Sequence, residues 1–159
     1  MKQLLELISE NIVTQIIVIT ILIVIIVFLF AFYLRRRHRI QTKDFDTLEG
    51  HEFEYYCAAL LEKKGFIEVE VTKGSGDYGA DILAEKDGVT YAIQCKCYTA
   101  PIGVKAIQEA YAGRDYYDRM VGAVLTNQYF TTPAVEAAKK LKILLWDRGY
   151  LESMLEERE

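Results

Sequence analysis

The chain predicts a mixed α/β domain, its sheet covered by helices on both faces, behind one membrane-spanning helix. Three observations carry this reading. Residues 12–34 are almost wholly Ile, Val, Leu and Phe. An Asp-Gly pair at 87–88 separates two strand-like runs. After that pair, helical and strand-like segments alternate to the C-terminus, so the order is α-β-β-β-α-β-α-β-α, a hairpin followed by crossover units.

Asn11 to Leu34 contains no charged residue. Twenty-three helical residues reach about 35 Å at 1.5 Å each, enough to cross a hydrocarbon core of ~30 Å. A cleaved signal peptide would have a shorter apolar segment and a small-residue cleavage site, and neither is present. A buried core helix would need more chain than follows to wrap all its faces. Arg35-Arg36-Arg37-His38-Arg39 comes next, whereas Lys2, Glu6 and Glu10 lie before the run. The positive-inside rule then places everything from Arg35 onward in the cytoplasm and the N-terminus outside a cell membrane crossed once. Beside the span, the arginines read better as topology and anionic-lipid contacts than as a DNA contact. The expected divisions are a short extracytoplasmic N-terminus at 1–11, the span at 12–34, a basic linker at 35–47 and one domain at 48–159. The span has no glycine and no small-xxx-small pattern, so association into a homo-oligomer is left open.

From Leu48 to Lys64, Phe53, Tyr56/Cys57 and Leu60/Leu61 recur at helical spacing, and Gly65 follows as a C-cap. Phe66 to Thr72 alternates as a strand with one apolar face, formed by Ile67, Val69 and Val71. Lys73 to Gly79 is a glycine-rich loop. It lacks the Gly-Lys-Ser/Thr and following helix of a phosphate-cradling P-loop, so its glycines suit a sharp bend or a close backbone approach. Asp77 within it would supplement a metal or cap the turn.

Asp-Gly is the dipeptide of a two-residue hairpin whose central residues need positive φ. With Asp87 and Gly88 in those places, Lys86 faces Val89, Glu85 faces Thr90, Leu83 faces Ala92 and Asp81 faces Gln94. Opposed residues share a sheet face with Cβ atoms roughly 5 Å apart. Lys96, two residues beyond Gln94, shares it too. A carboxylate, an amide and an ammonium thus meet at the open end. That trio suits cleavage of a phosphodiester. Asp81 would hold a hard cation such as Mg²⁺, and the Gln94 side chain or the Cys95 backbone carbonyl would add oxygen. Lys96 would orient a water, assist its deprotonation or offset charge on the phosphate. The bland alternative is a surface hairpin with an incidental Asp and Lys.

Beyond Lys96, Gly103 to Tyr117 reads as an amphipathic helix. Lys105 and Gln108 near its start are candidates to meet a phosphate or simply to be solvated. Tyr98, Tyr111, Tyr116 and Tyr117 read as packing or fringing residues more than as base-stacking ones. Met120 to Thr126 is a continuous apolar run, expected of a strand buried on both faces. Thr132-Pro133 starts a helix with Thr132 as N-cap and Pro133 at the first helical position. A strand at Lys142 to Asp147 and a helix at Arg148 to Glu157 close the domain.

Charge runs against a simple DNA binder. The chain has 19 basic and 23 acidic residues, and the excess of acid grows beyond the span. Duplex binding usually leaves a basic footprint. Cys57, Cys95 and Cys97, with only His38 and His51 to help, make no zinc framework and read as buried free thiols in a reducing compartment.

Phe53-Glu54 in the first helix, then GSGDYGAD, then IQCK, then the strand Gly-Ala-Val-Leu-Thr-Asn, resemble the Mrr-type restriction endonuclease domain over about Leu48 to Leu155. That family belongs to the PD-(D/E)XK nuclease superfamily. Its strand carries Q-x-K where most relatives carry E-x-K, and this chain has the glutamine form. The resemblance implies a restriction-endonuclease-like mixed sheet. It makes Asp81 the metal carboxylate, Gln94 the auxiliary ligand, Lys96 the catalytic lysine and Glu54 the helix carboxylate facing the same Mg²⁺ or Mn²⁺. It also implies DNA as the substrate and restriction of foreign or modified DNA as the role. Without the family pattern Glu54 would read as a solvated carboxylate, with Glu52 pointing elsewhere on the helix. The alternative class is a non-catalytic nucleic-acid-binding or scaffold module of the same fold. Loss of Asp81 or Lys96 would mark it, and both are present.

Overall fold

The computed structural model describes residues 15, 19–30, 45–72 and 78–156. The chain divides into two units, Met1–Thr42 and Lys43–Glu159. In the first, residues 19–30 are α-helical with every residue exposed. Among the described residues no helix is long and apolar enough to cross a membrane. The remainder of the span expected at 12–34, the N-terminal segment and the arginine cluster lie outside them, as do residues 73–77 of the glycine-rich loop, including Asp77.

The second unit begins with a 3-10 turn, Phe45–Thr47, and then helix α1, Gly50–Lys63. Its buried residues Phe53, Tyr56, Cys57, Leu60 and Leu61 repeat at three- and four-residue intervals and so form one stripe. The helix ends where Gly65 turns left-handed at φ 85° and the Phe66 amide donates to the Leu61 carbonyl at 3.1 Å. Only glycine takes that conformation without a Cβ penalty, which is why the helix stops there.

Strands β1 (Ile67–Val71), β2 (Ile82–Lys86) and β3 (Val89–Lys96) are antiparallel. The β2–β3 turn has Asp87 at φ 53° and Gly88 at φ 75°, the pair of positive values that the hairpin requires. The expected register follows: Lys86 pairs with Val89, Glu85 with Thr90 and Leu83 with Ala92. Strand β1 departs from the even alternation expected of it. Its register shifts between Ile67 and Glu70, Glu68 sits at φ 50°, and Ile67 is 57% exposed. A bulge of this kind re-aims side chains, so the apolar face is interrupted.

Helix α2 (Val104–Tyr116), strand β4 (Val121–Thr126), helix α3 (Thr132–Leu141), strand β5 (Ile143–Trp146) and helix α4 (Arg148–Leu155) follow. Strands β4 and β5 add in parallel, giving one mixed sheet of order β1-β2-β3-β4-β5. Strand β4 is buried from Gly122 to Thr126, as its unbroken apolar run requires. Helix α3 starts one residue earlier than expected. Thr131, not Thr132, is the N-cap, its hydroxyl accepting from the Ala134 amide at 3.4 Å. Adjacent threonines both qualify as caps, and the one left with extended backbone takes the role. Between α2, α3 and the sheet lies a core of Ile102, Ala106, Ile107, Ala110, Val124, Ala134, Ala138 and Ile143. Strand β3 is central: Val89 to Ile93 pair with β2, and its C-terminal residues Gln94, Cys95 and Lys96 pair with Val124, Leu125 and Thr126 of β4.

Candidate active site

Asp81 immediately precedes β2 and is only 5% exposed. Its amide donates to the Ile93 carbonyl at 2.9 Å, and its own carbonyl accepts from the Thr72 amide at 2.9 Å. The backbone is therefore fixed by both neighbouring strands. Oδ2 accepts from the Gln94 side-chain amide and from the Cys95 backbone amide, the latter at 2.7 Å. Gln94 is 3% exposed. The opposition of Asp81 and Gln94 expected from the turn is thus realised as a direct contact.

Lys96, on the same face as Gln94, ion-pairs with Glu109 of α2, Nζ lying 2.8 Å from Oε2. Burial pulls its ammonium pKa down, but the Glu109 hydrogen bond and the negative charges of Glu109 and Asp81 outweigh this, and the net shift is upward. Lys96 therefore stays protonated at neutral pH. The charge of Asp81 is thus felt at Lys96.

Glu54 arrives from α1 rather than from the face carrying Gln94 and Lys96. Cys95 alternates with those two residues and meets Cys57 of α1. Glu54 Oε2 accepts from His51 Nδ1 at 2.7 Å, one helical turn away. That bond, with the charges of Glu54 and Asp81, raises the His51 pKa. Contact with Cys57, burial and the charges of Asp81 and Glu54 push the Cys95 thiol well up. The two carboxylates thus act on shared neighbours. All three cysteines are free; Cys57 and Cys95 are buried, while Cys97 is half-buried and donates to the Leu48 carbonyl at 3.3 Å.

Lys105 is 89% exposed on its side chain, with Nζ 3.8 Å from Glu109 Oε1. Gln108 is also exposed. Both remain on the outer surface of α2, available to an anion but not gathered with Asp81. Two partners of the site, His51 and Glu109, were not singled out from the sequence. Their signals are the i,i+3 spacing of His51 and Glu54 and the i,i+4 spacing of Lys105 and Glu109.

Among the described residues no group of three His, Cys, Asp or Glu could hold a metal ion. The donors present are instead two carboxylates and an amide, oxygen-bearing throughout. That set fits a small hard cation such as Mg²⁺, which takes one or two protein carboxylates and completes its shell with water and substrate phosphate.

Residues 45–155 match the family model of the Mrr catalytic domain, described as a restriction endonuclease. The chain belongs to the Mrr restriction endonuclease family. This establishes a nuclease domain with a restriction-endonuclease-like fold, and the five-stranded mixed sheet flanked by helices agrees with it. A crystal structure described as a protein of unknown function, AF1548, is similar at 27% identity with a TM-score of 0.54. The likeness covers 64% of this chain and 62% of that one. The comparison with curated proteins gave no match.

Proposed function

We propose that this Mrr-family chain is a membrane-anchored, divalent-metal-dependent endonuclease that hydrolyses DNA phosphodiester bonds, in defence against foreign or modified DNA. The observation that carries the proposal is the meeting of buried Asp81 with Gln94 beside a protonated Lys96. Asp81, Gln94, the Cys95 backbone carbonyl and Glu54 would hold Mg²⁺ or Mn²⁺. When bound, that ion would supply Lewis-acid stabilisation of charge on the phosphate.

Lys96 contributes a fixed positive charge. Its raised pKa makes it a poor proton acceptor at neutral pH and a good electrostatic partner for a phosphoryl oxygen as water attacks phosphorus and the leaving oxygen departs. Lys105 and Gln108, exposed on α2, would meet a flanking phosphate. The apolar run at 12–34 and the arginines after it support anchoring in the cell membrane with the nuclease domain on the cytoplasmic side.

The test is nicking of supercoiled plasmid by the purified full chain with Mg²⁺ or Mn²⁺, beside Asp81→Asn. That substitution keeps size and removes charge. Wild type should nick, and the variant should lose roughly 10²–10³-fold in rate, the usual cost of removing one electrostatic group from a site. Equal and complete inertness of both, across metals and methylated or unmethylated plasmid, favours the non-catalytic binding module instead.

A further inference from the structure

We infer that Glu109 is a positioning residue, holding Lys96 where a DNA phosphate would be cleaved. The inference rests on the nuclease reading above and adds a residue to it.

Lysine carries its charge on a flexible four-carbon stem, and at the end of a strand nothing in the backbone aims that stem. Here Glu109 does so from another element. Its Oε2 lies 2.8 Å from Lys96 Nζ and is closed off from solvent, and among the described residues that charge contact is its partner. A buried carboxylate oxygen needs a compensating charge, so Lys96 is committed to it. Oε1 faces outward, 3.8 Å from the exposed ammonium of Lys105. The carboxylate thus has an inner oxygen engaged with β3 and an outer one toward solvent.

Helix α2 is itself pinned at this height by two glycines. A Cβ on Gly79, which has φ 94°, would lie 2.1 Å from the Glu109 carbonyl oxygen. One on Gly113 would lie 2.5 Å from the Gly79 carbonyl oxygen. Backbone therefore rests on backbone between α2 and the segment entering Asp81. The element that carries Glu109 is in contact with the loop that carries Asp81, so the separation of Asp81 and Lys96 is set from two directions. This explains the paired glycines, which neither a turn nor a helix interior demands at position 113.

The experiment uses full-length wild type, Glu109→Gln and Glu109→Asp, each checked for folding by circular dichroism. Two quantities are read: kcat and KM for plasmid nicking, and the rate of Lys96 acetylation by acetic anhydride, mapped by mass spectrometry against Lys140 in the same sample. In Glu109→Gln, kcat should fall about tenfold to a hundredfold, as for a misplaced catalytic group, with KM little changed. Lys96 should acetylate several-fold faster. Glu109→Asp, charged but shorter, should lie between the two. Nicking by Glu109→Gln as fast as wild type or faster overturns the inference, and so does a change confined to KM. Should wild type fail to nick, the nuclease reading falls separately, and unchanged Lys96 acetylation in Glu109→Gln then overturns this one. If Glu109→Gln does not fold, Glu109→Asp carries both measurements, and wild-type values for it overturn the inference.

Discussion

Two ion pairs in this domain use the same chemistry to opposite ends. Arg148 of α4 grips Asp46 with both terminal guanidinium nitrogens, at 2.9 and 2.8 Å. The same group also donates to the Asn127 carbonyl at 3.1 Å and to Glu152 at 2.9 Å, and it lies 5.0 Å from the centroid of the Phe45 ring. Its planar fork is consumed in several directions, which makes it a brace. Lys96, by contrast, meets Glu109 through one ammonium that has three hydrogens to offer. A cation spent on many partners ties elements together, whereas one with hydrogens to spare stays able to take a further anion. The two lie close together, since Lys96 pairs with Thr126 and the next residue, Asn127, donates to Asp46.

Substitutions on either side sharpen this contrast. The largest stability effect is expected from Gly79→Ala, which combines positive φ with a backbone collision under Glu109. A loss of about 3 kcal/mol is expected, read as a lower urea midpoint, with nicking falling in step. On the brace side, Asn127 is 2% exposed, donates to Asp46 at 2.9 Å and accepts from the Tyr98 amide at 2.9 Å. Asn127→Ala should cost about 2 kcal/mol by emptying a buried site and leaving the part-buried Tyr98 amide without its acceptor. Because Tyr98 follows Lys96 closely, the rate should fall as well, but less than for Asp81→Asn.

The smallest effect is expected from Asp46→Asn, about 1 kcal/mol at neutral pH because the pair is partly exposed. The Arg148 hydrogen bond holds the Asp46 carboxyl below its usual range, opposed by burial and helped by Asn127. A depressed carboxylate stabilises fully above its unfolded pKa of about 3.9 and loses that contribution as pH falls through its folded value. The gap between wild type and Asp46→Asn should therefore close below about pH 4 in urea titrations. A gap that stays constant with pH would show that the brace works through shape rather than charge.

Sequence reasoning reached the hairpin and the meeting of Asp81 with Gln94 because one dipeptide, Asp87-Gly88, demands positive φ twice and thereby sets the register. The order of elements along the chain followed from the alternation of segments. The partners of those residues were harder to read. Glu109 meets Lys96 across a strand-to-helix connection that has no periodicity, and Arg148 meets Asp46 over 102 positions. Only tertiary packing brings such groups together. Local pattern failed at Glu68, where alternation continues in the letters while the backbone kinks, and at Thr131, where a second threonine offers an equally good cap. Glu54 was placed by family likeness and is found bonded to His51 on α1, whereas Lys105 and Gln108 stay on the surface.

The kink in β1 has a consequence for the molecule's neighbours. β1 is a border of the sheet, and a straight border strand offers a row of unmatched peptide groups to any passing chain. With its ladder broken between Ile67 and Glu70, and two acids along its five residues, this border is a poor template for strand addition. Copies crowded together should therefore resist stacking through β1.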